Sequence, residues 1–537
     1  MNDSALILAN LVRQWCDRDP DRDVLTFVAI GNNGEFLDQI RTYRQLWENG
    51  QKLAHWLQQQ GMGKGDAFAI MMPNHPEFVE LMVASSILGT VFVPIDPRTK
   101  GNKLQYMLDY AQCKGVFATD ATLAEIAAVW PARSKTNGSA IQRWISPLSQ
   151  KHPEANRPCV RQILSASVPS PNLDVQSTDP DAPMQMLYTS GTTGDPKAIL
   201  SSHRRFGDVA QLGELLGLRD GDRPYTGLSL THANAQLVTL GNTLGMGLRG
   251  VISRQFTKSR LWDITRYYGC TFFNLLGGMT TAIYAEPVKD NDGDNPVRCV
   301  LSAGMPAAIW DKFCKRFGVD VYEFYGAAEG GMTLHPPGEG PIGSCGKAIP
   351  SLQLQILDDN DQPCPAGEAG EICFRPANGS DPVVKYFNNP EASEKKTAGG
   401  WLRMGDIGHV DEDGWLFFHY RKGGGIRRNG DFINPAFVEK TLSEHPHIDD
   451  VFVYGVPAKN GAPGEKDVVA AIVPACPNSF DAKSVYSRCR EELESNFVPS
   501  FLHLVEAIPK TASEKPQERF LLEAFEEGKD RILTATE

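Results

Sequence analysis

The chain has 537 residues, and 65 acidic against 53 basic side chains leave a formal net charge of −12. This length is several times that of a usual domain, so it excludes a single small binding module and predicts unequal domains around a large core. The negative charge excludes nucleic acid as the main partner, because duplex binding depends on clustered Lys and Arg side chains that neutralise phosphates.

Cysteine spacing and hydropathy indicate the cellular compartment of the protein. The eleven cysteines are scattered, with no CxxC pair and no Cys/His spacing typical of a zinc site, so they predict reduced thiols. Residues 1–15 lack the basic start and the apolar core of a signal peptide. The most apolar region, residues 78–95, is interrupted by Glu80 and Gly89 and predicts no integral membrane segment. We therefore expect a cytoplasmic protein.

Helices and strands alternate along the first part of the chain. Thr42 and Gln45 have the spacing of a capping box, and Gly61 predicts the end of the helix that follows. The further elements predicted here are strands over residues 67–72, 91–94 and 115–118 and helices over 76–88 and 103–111. This order predicts a parallel α/β sheet.

Two later segments complete the large domain. Residues 131–183 are rich in Pro, Ser, Asn and Gln, and their weak periodicity predicts a surface excursion without chemistry. Pro306 is predicted to open a helix with Ile309, Phe313 and Phe317 on one face. A strand over 319–324 follows and delivers residues 325–329 at its C-terminal end, where α/β sheets bind ligands.

The C-terminal part differs in character. Residues 411–414 predict a turn inside a hairpin over 404–420. Three consecutive glycines, residues 423–425, suit a flexible joint. Beyond them, we expect helices over 435–445 and 482–496 and strands over 451–456 and 468–473. The predicted fold class is α/β, with a large multi-layer N-terminal α/β domain (residues 1–421) and a small mobile α+β C-terminal domain (residues 422–537).

Residues 188–197 read Tyr-Thr-Ser-Gly-Thr-Thr-Gly-Asp-Pro-Lys. Glycines let backbone N–H groups approach an anion, hydroxyls donate further hydrogen bonds, and a lysine adds a point charge. The segment predicts a polyphosphate cradle, although a surface loop without a ligand is the alternative. It is not a Walker loop, because Gly194 is separated from Lys197. The predicted phosphate-binding residues are Thr189, Ser190, Gly191, Thr192, Thr193, Gly194 and Lys197.

This loop resembles the signature of the adenylate-forming superfamily, which includes acyl-CoA synthetases, adenylation domains and luciferases. Residues 228–234, Leu-Ser-Leu-Thr-His-Ala-Asn, resemble its second motif. By resemblance, His232 borders both the nucleotide and the acyl pocket, and it is assigned a catalytic role, whereas Asn234 lines the pocket. Taken alone, His232 would more often be a structural histidine.

Two further segments resemble the nucleotide site of this superfamily. Ser302, Ala303 and Gly304 are similar to the segment that lines the adenine. Residues 325–329, Tyr-Gly-Ala-Ala-Glu, are similar to a Tyr-Gly-x-Thr-Glu motif. The resemblance implies that Tyr325 stacks on adenine. The alternative is a core tyrosine with a solvated glutamate.

The same resemblance implies a magnesium site and marks one departure. Glu329, assigned a catalytic role, would bind Mg²⁺ together with Thr193, since a hard carboxylate oxygen suits this ion. Gly326 and Ala328 would border the nucleotide. Ala328 stands where the related motif usually has threonine, which removes one hydrogen bond near the α-phosphate.

Residues 404–406, Met-Gly-Asp, resemble a Thr-Gly-Asp motif. In that interpretation Asp406 accepts hydrogen bonds from the ribose hydroxyls, Arg421 also reaches the ribose, and Gly423 is the hinge. A glycine at this hinge is also seen in the fatty acid transport protein branch. Residues 427–430 resemble the crotonobetaine/carnitine-CoA ligase branch.

Residues 509–515 are similar to a terminal motif of the superfamily in which Lys515 is the catalytic lysine. Glu514 replaces the usual glycine. On the sequence alone, a lysine in a charged tail would be a surface residue. Residues 290–294 resemble the start of a calcium loop but are rejected, because the glycine is at the fourth position and Leu301 occupies the twelfth.

The ordered motifs imply an AMP-forming acyl-CoA synthetase with ATP, Mg²⁺ and CoA as its cofactor and co-substrates. Gly277 and Gly278 lie where the acyl pocket is expected and would leave room for a bulky apolar or ring-bearing acid. Two alternatives stay open: an adenylating enzyme that loads a carrier protein, and a degenerate nucleotide-binding protein without turnover. A homodimer is also left open.

Overall fold

The structure is a computed structural model. It describes residues 3–131, 133–136, 139–149, 155–166, 172–189, 196–422, 426–428, 431–433, 435–458, 466–511, 514, 516–528 and 531–534. The chain forms two compact units. Unit 1 consists of Met1–Met305, Asp311–Gly330 and Val383–Lys395. Unit 2 consists of Pro306–Trp310, Gly331–Pro382 and Lys396–Glu537. The predicted domain boundary after residue 421 stays a prediction.

The helices and strands are numbered in chain order. Strands β1 to β27 are Asp23–Ile30, Phe36–Thr42, Ala67–Met71, Val91–Pro94, Gly115–Ala118, Arg133–Thr136, Ser139–Gln142, Trp144–Pro147, Pro183–Thr189, Lys197–Ser202, Pro224–Thr226, Gly250–Ser253, Phe272–Leu276, Cys299–Ala303, Asp320–Ala327, Gly330–His335, Lys347–Ala348, Leu352–Leu357, Gly370–Pro376, Leu402–Val410, Leu416–Arg421, Ile426–Arg428, Asp431–Ile433, Ile448–Pro457, Lys466–Pro474, Phe501–Leu504 and Arg531–Thr534. Helices α1 to α15 are Leu8–Arg18, Tyr43–Gln59, Pro76–Leu88, Gly101–Tyr110, Leu123–Val129, Val160–Ser165, His203–Val209, Asn242–Met246, Leu261–Tyr268, Gly277–Tyr284, Trp310–Phe317, Pro390–Lys396, Pro435–Ser443, Ala482–Glu492 and Glu518–Glu527. A π-helix covers Asn234–Gly241.

The first sheet of unit 1 follows the predicted alternation. Its strand order is β10-β9-β4-β3-β5-β8, and β3 pairs in parallel with both β4 and β5. The capping box of α2 is confirmed: the Gln45 backbone N–H donates to Thr42 Oγ1 at 3.2 Å, and the Thr42 N–H donates to Gln45 Oε1 at 3.0 Å. The core on one side of this sheet includes buried apolar side chains of α4 and α5.

The expectation of a surface excursion over residues 131–183 is wrong for Trp144–Pro147. These four residues form β8, which is fully buried and pairs in parallel with β5. The Trp144 ring contacts Phe117 with the centroids 4.9 Å apart. A four-residue buried strand shows no alternation of polar and apolar residues, so periodicity could not reveal it.

A second sheet of unit 1 has the strand order β15-β14-β13-β11-β12-β1-β2. Strands β13, β14 and β15 are parallel neighbours. The helix expected to open at Pro306 begins instead at Trp310. Pro306 starts a turn, in which the Ile309 N–H donates to the Pro306 carbonyl at 3.1 Å. The fixed φ of proline suits a turn as well as a first helical residue.

Unit 2 contains two four-stranded sheets, β18-β19-β20-β21 and β24-β25-β26-β27. The predicted hairpin is confirmed by the antiparallel pair β20 and β21. In its turn, Asp411 Oδ1 accepts from the N–H groups of Asp413 and Trp415 at 3.0 and 2.8 Å. The expected elements after residue 435 are present, and α13 and α14 pack on the second sheet around Val438 and Val485.

Two further expectations from the sequence concern the cysteines and membrane-spanning helices. All eleven cysteines lie within the described ranges, and each is a free thiol, as predicted. No helix in the described ranges is long and apolar enough to cross a membrane.

We expect Gly115→Ala to destabilise unit 1 by about 1–3 kcal/mol. An added Cβ would lie 1.9 Å from two indole ring atoms of Trp144, so the ring would have to move. Gly63→Ala is the matched control, because an added Cβ there meets no described atom within 4 Å. Chemical denaturation followed by tryptophan fluorescence measures both variants. Equal denaturation midpoints would contradict this packing.

Candidate functional site

Three parallel strands bring the predicted acyl and adenine segments to one edge of the second sheet in unit 1. Gly277 and Gly278 follow β13, and Ser302 and Ala303 end β14. In the register of these two strands, Leu276 lies opposite Ala303. An added Cβ on Gly277 would come within 2.7 Å of the Gly304 carbonyl oxygen. The two segments therefore touch, and glycine at 277 has a packing reason. Its place in an acyl pocket stays a prediction.

The third strand, β15, adds the Tyr-Gly-Ala-Ala-Glu segment. Tyr325 and Gly326 are among its last residues, and Ala328 and Glu329 follow its end. Ser302 lies opposite Glu323 in the parallel register of β14 and β15. The predicted adenine residues thus emerge from adjacent strands at their carboxyl ends, which is the usual ligand-binding edge of such a sheet.

Glu323 is a buried residue of this edge that the sequence interpretation missed. Its carboxylate accepts from the N–H groups of Gly304 and Met305 at 2.5 and 2.9 Å. Burial raises the pKa of Glu323 to about 8, and the two N–H bonds act in the opposite direction. Gly304 has φ +103, which favours glycine. Glu323 therefore holds the predicted adenine segment by its backbone. The signal in the sequence was an acidic side chain placed between the apolar residues Val321 and Phe324 of this strand.

Tyr386 links two predicted site residues that are distant in the sequence. Its hydroxyl donates to Glu329 Oε1 at 2.8 Å. The Lys197 ammonium lies over its ring, 5.8 Å from the centroid, which is within the range of a cation–π contact. The predicted phosphate lysine and the predicted magnesium glutamate therefore meet at one aromatic side chain.

Arg205 is a further cation at this place. Its Nη2 donates to the Ala327 carbonyl at 3.3 Å. Burial lowers the pKa of Arg205, while the carboxylates of Asp208 and Glu329 act in the opposite direction. A partly buried guanidinium near Glu329 adds positive charge where an anionic substrate would arrive.

Asn234 begins the π-helix, and His232 lies two residues before it. Burial lowers the pKa of His232 to about 4, so its ring is neutral near pH 7. Asn234 Oδ1 accepts from Asn274 Nδ2, and Thr239 Oγ1 donates to Asn274 Oδ1 at 2.9 Å. Asn274 lies on β13, so the π-helix is tied to the strand that leads to Gly277. π-Helical segments are frequent at functional sites.

Unit 2 holds the predicted ribose residues. Asp406 and Arg421 lie opposite each other in β20 and β21, and Arg421 Nε is 4.0 Å from Asp406 Oδ1. Asp406 is largely buried, whereas Arg421 is half exposed.

Several predicted residues lie outside the described residues. They are Ser190, Gly191, Thr192, Thr193, Gly194, the hinge Gly423 and Lys515. The ends of the phosphate loop are described, and Thr189 lies opposite Lys197 in the antiparallel pair β9 and β10. Glu514 has φ +57, a conformation that favours glycine, at the position where the related motif has glycine.

Glu323→Gln should reduce the pH dependence of stability. The folded pKa of about 8 exceeds the ordinary value of 4.5, so this carboxyl stabilises the fold fully below pH 4.5. The contribution declines as the pH rises and is lost above about pH 8. Denaturation midpoints between pH 4.5 and 8 measure it, with the exposed Glu214→Gln as the control. An unchanged slope in Glu323→Gln would refute the assignment.

Known proteins resemble this chain over most of its length. Long-chain fatty acid transport protein 1 of Mus musculus is 28% identical over 517 residues, which are 90% of this chain and 78% of that protein. The crotonobetaine/carnitine–CoA ligase of Salmonella typhi is 26% identical over 516 residues, 94% of this chain and 97% of the relative.

Solved structures confirm the predicted fold class. The anthranilate CoA ligase AuaEII in complex with anthranoyl-AMP superposes with a TM-score of 0.82 at 22% identity, covering 98% of this chain and 100% of that one. The o-succinylbenzoate CoA synthetase MenE from Bacillus subtilis, in complex with OSB-AMP, gives 0.78 at 23% identity, with coverages of 95% and 97%.

Two family models match the chain. The model described as AMP-binding enzyme matches residues 12–380, and the one described as AMP-binding enzyme C-terminal domain matches residues 438–515. The first match alone covers more than half of the chain. The chain therefore belongs to the AMP-binding enzyme family, as its motifs implied.

Proposed function

We propose that this protein is an AMP-forming carboxylate–CoA ligase. The observation that supports it best is that Tyr386 contacts both Lys197 and Glu329 in unit 1. Lys197 is the lysine predicted to bind phosphate, and Glu329 is a carboxylate suited to magnesium. The name of one relative, the crotonobetaine/carnitine–CoA ligase, points to the same chemistry.

The reaction has two steps. A carboxylate oxygen of the acid attacks the α-phosphorus of ATP, the bond to the β-phosphate oxygen breaks, and pyrophosphate leaves. The product is an acyl-adenylate, a mixed anhydride. The CoA thiol then attacks the acyl carbon, loses its proton, and AMP departs. Both steps bring anions together, so the protein must supply positioning and positive charge.

Different residues bind the polyphosphate, the adenine and the magnesium ion. Lys197 and the loop from Thr189 hold the polyphosphate, and Tyr325 stacks on the adenine. Glu329 would hold Mg²⁺, an ion that uses one or two protein carboxylates together with substrate phosphates. Magnesium bound with ATP neutralises the charge of the phosphates.

The C-terminal domain, residues 422–537, supplies Lys515 to the carboxylate and the α-phosphate. It then rotates about Gly423 so that CoA can reach the acyl group, a lid movement that reuses one site for two reactions. The protein acts in the cytoplasm. Measuring the mass of the protein in solution tests whether it forms a homodimer.

The acid is the least determined substrate. Gly278 at the start of α10 and the neutral His232 favour a bulky apolar or ring-bearing acid over a short charged one. A quaternary-ammonium acid, suggested by the carnitine ligase relative, would need an aromatic or acidic cage.

Carboxylate-dependent exchange of pyrophosphate into ATP tests the proposal. A panel of aliphatic, aromatic and quaternary-ammonium acids should give exchange with at least one class. No exchange with any acid would favour the degenerate nucleotide-binding protein. Thioester formation with free CoA supports the ligase, whereas transfer only to a carrier protein would favour the alternative enzyme.

Lys515→Ala should lower adenylate formation by about 10²-fold or more, because one charged contact in the transition state is lost. Thioester formation from supplied acyl-adenylate should be largely spared. The exposed Lys483→Ala on α14 is the control for loss of a lysine in the same domain. Equal losses in both half-reactions would assign Lys515 another role.

Tyr386→Phe should raise the KM for MgATP by roughly tenfold, because a hydrogen bond to a charged carboxylate is removed. The KM for the acid should change little. Tyr110→Phe is the matched control. The Tyr110 hydroxyl donates at 2.5 Å to the carbonyl of Phe387, the residue that follows Tyr386, and it does not touch Glu329. Equal effects of the two variants on the KM for MgATP would contradict this role of Tyr386.

A further inference from the structure

A buried carboxylate in unit 2 lies next to the predicted ribose residues without belonging to their motif. Glu371 is on β19 and only 7% exposed. Its Oε1 accepts from the Gly405 N–H at 3.2 Å. Its Oε2 accepts from Arg403 Nη1 at 3.1 Å and from Lys422 Nζ at 3.3 Å. Three donors from two neighbouring strand segments therefore converge on one anion.

The charges around Glu371 make this contact strong. Arg403 is 15% exposed and also pairs with the exposed Asp361. Hydrogen bonds between ionised partners are about twice as strong as neutral ones. Removing one partner of a buried pair leaves the other charge uncompensated. The Glu371 carboxylate is thus a fixed point to which both β20 and the end of β21 are attached.

The attachment at Gly405 matters because it fixes the backbone immediately before Asp406. Gly405 has φ +73 inside β20, a conformation that is strained for other residues. Its N–H is bound by Glu371, and its carbonyl accepts from the Lys422 N–H at 2.8 Å. Both polar groups of this residue are therefore held, immediately before Asp406.

Lys422 makes the corresponding attachment on the other strand. It follows Arg421 directly, and its ammonium also lies 3.8 Å from the exposed Asp359. Glu371 therefore touches Gly405, which precedes Asp406 on β20, and Lys422, which follows Arg421 at the end of β21.

We infer that Glu371 is a positioning residue that holds Asp406 and Arg421 at the spacing required by the ribose of ATP. This rests on the proposed function, in which these two side chains bind the ribose hydroxyls. Glu371 does not touch the nucleotide in this proposal. It acts through the Gly405 peptide and the Lys422 side chain, so its loss changes the orientation of the ribose residues.

The test compares ATP with 2′,3′-dideoxy-ATP, which lacks both ribose hydroxyls, in the pyrophosphate exchange assay. Asp406→Ala should remove most of the preference for ATP. Glu371→Ala should lower the ratio of the two kcat/KM values by about tenfold, the effect of one charged hydrogen bond. In the Asp406→Ala background, Glu371→Ala should lower the ratio by less than in the unchanged protein, because only its effect through Arg421 remains.

Three other variants separate positioning from general stability. Glu371→Gln should recover part of the ratio, since its amide oxygen can still accept from Gly405. Lys422→Ala should lower the ratio by roughly threefold, because only the contact to β21 is lost. Asp361→Asn should leave the ratio unchanged, since Asp361 shares Arg403 but contacts neither Gly405 nor Lys422 among its described contacts.

Several outcomes would overturn the inference. If Glu371→Ala lowers activity equally with both nucleotides, Glu371 only stabilises the fold. If Asp406→Ala leaves the ratio unchanged, the ribose assignment itself fails. If exchange is absent in the unchanged protein, the proposed function fails first. Should Glu371→Ala not fold, an unchanged ratio in both Glu371→Gln and Lys422→Ala would refute the role.

Discussion

The parallel register of β13, β14 and β15 is the constraint on which the candidate site of unit 1 depends. Leu276 opposite Ala303 and Ser302 opposite Glu323 align the three strand ends. A slip of one residue would turn every side chain of a strand to the other face. The Glu323 carboxylate would then no longer reach the Gly304 N–H, and the adenine segment would lose its support.

Buried glutamates have a similar part in both units. Glu323 binds the N–H of Gly304, and Glu371 binds the N–H of Gly405. Both glycines have positive φ, +103 and +73. Backbone in such conformations leaves regular hydrogen-bond ladders, and a buried N–H group must find another acceptor. A carboxylate provides one, and each of these glycines adjoins a residue of a predicted nucleotide-binding segment.

Local positive charge offsets the negative charge of the whole chain. The net charge of −12 argues against nucleic acid as the main partner. In unit 1, Lys197 instead places a cation over the ring of Tyr386, and the partly buried Arg205 places another near Glu329. Charge compensation in a partly desolvated site is worth more than at the surface. A ligase that joins anionic substrates has this need.

The sequence alone determined the features that depend on local pattern. The capping box at Thr42, the helix Pro76–Leu88 and the strand Gly115–Ala118 follow from residues close together in the chain. The ordered motifs were sufficient for the family. Tertiary structure alone decided the contacts of Glu323, Tyr386 and Glu371, and it revealed the buried strand Trp144–Pro147. Tyr386 and Glu329 are 57 residues apart. No local periodicity encodes such a pair, because it depends on which strand ends meet when the sheets form.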